Sequence, residues 1–93
     1  MKATWHGAVL AECDDTVLVE GNHYFPPDAL RMEHFTPTAT QTTCGWKGVC
    51  HYYTVTVAGQ TNPDCAWVYP APKPDAAHVA GRVAFWKGVE VGV

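Results

Sequence analysis

Charge is scarce in this chain, and charge of one sign collects nowhere. Charged residues fill 16% of 93 positions, with nine acidic against six basic groups for a net charge of −3. Lys2, Arg31, Lys47, Lys73, Arg82 and Lys87 are nowhere adjacent. A protein that tracks phosphates needs a dense basic face to release counterions, so no nucleic-acid partner is expected. Long apolar runs are missing too: none approaches the roughly 18 residues that span a bilayer, and no membrane partner is expected. Near the N-terminus, Lys2 and Ala8-Val9-Leu10-Ala11-Glu12-Cys13 imitate a lipoprotein signal. That stretch is far shorter than the apolar region of about 7–15 residues in a signal peptide, and Glu12 stands where a small residue belongs. A cytoplasmic protein with four cysteine thiols follows as the expectation.

Several chemical signatures are also missing. There is no Gly-rich phosphate loop, no Gly-x-Ser-x-Gly elbow and no His-Glu-x-x-His helix. Cys13, Cys44, Cys50 and Cys65 include no Cys-x-x-Cys pair that would set two sulfurs on one turn. No metal site and no cofactor are expected.

Apolar side chains are plentiful. They make up 47% of residues, with four tryptophans among them, which is enough for one packed core and one domain over residues 1–93. Short alternating runs bounded by Gly, Pro and Asp predict strands at Ala3–His6, Ala8–Cys13, Thr16–Glu20, His23–Phe25 and Met32–Phe35. Later strands are expected at Val49–Ala58, Ala66–Tyr69 and Arg82–Lys87. Within Val49–Ala58, the alternation places His51, Tyr53, Val55 and Val57 on the core face. Thr36–Thr43 and Gly59–Asp64 read as surface loops. Asp28 and Asp75 are expected to cap one or two short helices. The fold class is mainly β: a compact antiparallel sheet or half-open barrel.

Four blocks carry a family likeness: Val19-Glu20-Gly21-Asn22-His23-Tyr24-Phe25-Pro26; Thr43-Cys44-Gly45-Trp46-Lys47-Gly48; Asp64-Cys65-Ala66-Trp67-Val68-Tyr69-Pro70; and Val83-Ala84-Phe85-Trp86-Lys87-Gly88-Val89. In this order they resemble the bacterial domain-of-unknown-function family 427 along nearly the full chain. The resemblance implies an Mss4-like β fold with a short helix before the final strand, and no known activity. The chain departs from the family pattern at Gly45, where proline is expected, and at Cys65, where alanine is usual.

Three function classes remain. A binding module for a small molecule or peptide would use an aromatic-lined pocket, with Asn22, Tyr24, Trp46, Lys47, Tyr52, Trp67 and Tyr69 as contacts. Such sites combine ring surfaces with a few convergent polar groups, and typically measure at least about 300 Å³. An enzyme would use Cys44 as a nucleophile with its thiolate stabilised by Lys47, or Glu20 and Lys47 as an acid–base pair. A structural or protein-interaction module would need an exposed apolar patch of several hundred Å². Trp46 and Lys47 are the contacts that the sequence favours first.

Overall fold

Four X-Gly dipeptides bend the backbone of this chain through positive φ. A computed structural model describes residues 1–93. It shows β1 (Lys2–Trp5) and β2 (Ala8–Glu12) joined through His6-Gly7, β3 (Val17–Val19) and β4 (Asn22–Tyr24) through Glu20-Gly21, and β6 (Gly48–Val57) and β7 (Gln60–Val68) through Ala58-Gly59. Each loop has two residues, both with positive φ, and that geometry matches the natural twist of the strands it joins. Lys87-Gly88 makes the same bend between β8 (Val83–Phe85) and β9 (Glu90–Gly92).

The strands form antiparallel sheets in the orders β2-β1-β9, β3-β4 and β5-β6-β7-β8, where β5 is Phe35–Cys44. These sheets do not close into a barrel. The β3–β4 hairpin continues the large sheet, because Phe25 exchanges backbone hydrogen bonds with Val83 at 2.8 and 2.9 Å. No helix is long and apolar enough to cross a membrane.

Several expected elements are different. Thr36–Thr43, expected as a loop, lies within the ten-residue strand β5. It is an edge strand paired only with β6 and is exposed along most of its length, so no apolar alternation marks it. Its β-branched threonines suit the pleated backbone. Gly59–Asp64 is a loop only at Gly59; β7 begins at Gln60 and carries Pro63 through a register shift, where the missing N–H is tolerated. Met32–His34 forms a 3₁₀ turn instead of a strand. The remaining helical segments, Pro27–Ala29 and Pro74–Val79, are also 3₁₀, and each begins on a proline whose fixed φ suits a first helical position. Asp28 and Asp75 lie in their first turns, and neither segment has a side-chain cap.

Both faces of the large sheet are packed. On one, Phe25, Phe35, Val55, Val57, Ala66, Val83 and Phe85 meet Ala3, Leu10 and Ala11 of the three-stranded sheet. On the other, Tyr24, Cys50, Tyr69 and Ala84 lie under Ala76 and Val79 of the last 3₁₀ segment. The expected core face of β6 therefore holds at Val55 and Val57, but Cys50 on the opposite face is also buried.

Candidate functional site

The site begins with the tight connection Gly45-Trp46-Lys47 between β5 and β6. Lys73 clamps it twice: its backbone N–H donates to the Lys47 carbonyl at 2.9 Å, and its Nζ donates to the Gly45 carbonyl at 2.7 Å. Gly48 has φ of +111°, and a Cβ there would lie 3.5 Å from the Lys73 nitrogen. The clamp holds the connection without the proline expected at position 45.

This geometry turns the Lys47 side chain inward, leaving it 8% exposed. Its Nζ donates to Glu20, and it lies 5.3 Å from the Trp46 ring centroid and 5.5 Å from that of Tyr69. Cation–π attraction and the ion pair offset part of the cost of burying the ammonium. Glu20 comes from the β3–β4 turn, where φ of +54° aims it across at Lys47 while its side chain stays half-exposed. Hydrogen bonding and the charge of Lys47 hold the Glu20 carboxyl below its usual range. For Lys47, burial pulls the other way most strongly, yet Glu20 together with Tyr24 and Cys44 leaves the ammonium more basic than usual. Both shifts favour the charged forms of the pair.

Aromatic side chains build the surrounding walls. Tyr24 is fully buried, and its hydroxyl accepts a hydrogen bond from the Trp67 indole at 3.1 Å. Trp67 meets Tyr24 and Trp86 edge to face, with centroids 6.3 and 6.1 Å away. The Tyr52 hydroxyl shares a 2.9 Å hydrogen bond with Thr42. Burial pushes the Tyr52 and Tyr69 hydroxyls up in pKa, Tyr69 by far the more, so both remain neutral donors. A pocket of about 180 Å³ opens among Lys47, Cys50, Tyr52, Trp67, Tyr69 and Trp86.

Four expected contacts thus line one pocket: Lys47, Tyr52, Trp67 and Tyr69. Tyr24 stands behind Trp67, and Glu20 reaches the pocket only through Lys47. Trp46 lies over Lys47 but is not part of the pocket wall, and Asn22 sits opposite Val19 in its hairpin without lining the pocket. Trp46 belongs to the turn between β5 and β6, and Asn22 is the first residue of β4, beside the Glu20-Gly21 turn. Cys50 and Trp86 complete the walls: Trp86 is one of the aromatic residues of the family-like blocks, and Cys50 was not among the expected contacts. The two-residue alternation from Tyr52 back to Cys50 is a signal that could have found it.

Cys44 lies at the end of β5, half-exposed. Its thiol is held below the ordinary value by the Lys47 backbone N–H, then by that of Trp46 and by the Lys47 charge, against opposition from burial and Glu20. Cys50 and Cys65 are buried, and burial raises both.

The fold and site define a small antiparallel β domain with an ion-paired lysine set among aromatic rings. The family described as a domain of unknown function, DUF427, matches residues 1–93, and the chain belongs to that family. Comparison with curated proteins finds no match.

Proposed function

We propose that the chain is a binding module that holds a small molecule in the aromatic pocket beside Lys47. One observation carries the reading: an almost fully buried ammonium faces a pocket whose other walls are Cys50 and four aromatic rings. The pocket volume of about 180 Å³ is smaller than the sequence reading required, and it narrows the occupant to a molecule well below drug size. Native mass spectrometry of protein taken from its own host tests the reading. A bound species that is lost in Lys47→Met supports it. Bare protein, with no response of the Trp67 and Trp86 indole N–H resonances to a small-molecule extract, overturns it.

A second reading, a reactive thiol at Cys44, is favoured by the backbone donors and the ammonium that lower its pKa. It predicts alkylation of Cys44 at neutral pH faster than that of free cysteine.

A further inference from the structure

Resting on the binding reading, we infer that the pocket takes a small planar aromatic ring bearing an anionic substituent, of which a carboxylate is the simplest. The inference starts from the donors of Lys47. An ammonium carries three N–H groups. One goes to Glu20, and the protein offers the others only the ring faces of Trp46 and Tyr69. A ring face satisfies a desolvated N–H less well than an anionic oxygen does, because charge-assisted hydrogen bonds are about twice as strong as neutral ones.

Charge around the pocket points the same way. Although the whole chain is acidic, the one charged side chain that lines the pocket is a lysine. Lys47 lines the pocket, Lys73 is fixed on the Gly45 carbonyl, and Lys87 lies 4.9 Å from the Trp86 ring centroid. The carboxylates around it are Glu20, already on Lys47, Asp64, whose two oxygens accept from Thr38 and Thr40 at 2.8 Å each, and Asp75 in the first turn of the covering 3₁₀ segment, and none of them lines the pocket. Lys47, the one lysine or arginine in the pocket wall, which holds no carboxylate, favours an anion and disfavours a cation.

The walls select the remainder of the ligand. Trp67 and Trp86 meet at 89°, so a ring lying flat against one presents its edge to the other. Cys50 adds a soft, polarisable contact, which suits a ring face. The volume of about 180 Å³ admits a ring with one small substituent and excludes a molecule that fills a typical drug site of about 300–1,000 Å³.

Benzoate and its neutral isostere benzamide separate the anion from the ring. Each is titrated into the ¹⁵N-labelled protein, following the indole N–H signals of Trp67 and Trp86, with Trp5 on the three-stranded sheet as an internal reference. Benzoate is expected to bind at least about tenfold more tightly than benzamide, the ratio produced by one charge-assisted hydrogen bond. Glu20→Gln removes the competing negative charge while keeping an acceptor oxygen, and is expected to tighten benzoate while leaving benzamide unchanged. Equal affinities, or tighter benzamide, overturn the anionic class and leave the binding reading standing. Silence of both indoles toward both probes at millimolar concentration overturns the two together.

Discussion

Tyr24 and Phe25 are neighbours in sequence, both fully buried, and they point to opposite faces of the same sheet. The face under Phe25 is closed by a second sheet and filled with Leu, Val, Phe and Ala. The face under Tyr24 is covered only by a short 3₁₀ segment, and its rings carry hydroxyl or indole groups joined by hydrogen bonds. The first face is built for stability and the second leaves a gap bordered by a charge. The difference lies in what covers the sheet, since the same strands supply both faces.

The largest effect is expected on the closed face. Phe25→Ala removes a ring packed 5.7 Å from that of Phe85 and should cost about 3–5 kcal/mol in urea unfolding. Tyr24→Phe keeps the ring but strands the Trp67 indole donor, so a loss of about 1 kcal/mol is expected. Equal losses would erase the distinction between the faces.

The ion pair sharpens the contrast. Lys47→Met leaves Glu20 solvated at the surface, whereas Glu20→Gln leaves an ammonium buried without its counter-charge. The glutamate variant should therefore be the less stable of the two, as read from their unfolding midpoints. The same pair sets an acid sensitivity. Because the folded Glu20 carboxyl titrates below its unfolded value of about 4.3, its contribution is present above that pH and is lost as pH falls through the lower folded value. Glu20→Gln should flatten the fall in urea midpoint between pH 6 and pH 3, and an unchanged slope would remove Glu20 as its source. Asp64, lowered by Thr38 and Thr40, contributes with the same sign.

The smallest effect concerns thiol chemistry. Cys44 and Cys13 are both half-exposed, yet the first is lowered in pKa by backbone donors and the second is raised, mainly by burial. Iodoacetamide followed by peptide mass mapping should modify Cys44 first, Cys13 more slowly, and Cys50 and Cys65 only after unfolding. Equal rates at Cys44 and Cys13 would dismiss the activated-thiol reading.

Much of the fold was legible where local chemistry decides it. Gly7, Gly21 and Gly59 marked hairpin turns or loops because positive φ is cheap for glycine, and the strands beside them followed. Thr36–Thr43 was misread because an edge strand exposed on both faces has no apolar period to detect. At the site, Lys47, Tyr52, Trp67 and Tyr69 could be singled out as aromatic or charged residues in family-like blocks. Trp46 lies outside the pocket wall in the turn before β6, where no strand alternation sets side-chain direction, and Asn22 lies outside it at the first position of β4.

The sequence by itself determined a mainly antiparallel chain with several tight turns, since alternation and glycine act over a few residues. Only the tertiary structure decided that Lys47 is buried. Glu20, 27 residues earlier, supplies its carboxylate, and Tyr69 and Trp86 approach from just beyond the ends of β7 and β8. A charge can be held at that depth only by partners that the folded sheet brings together, and no local pattern records them.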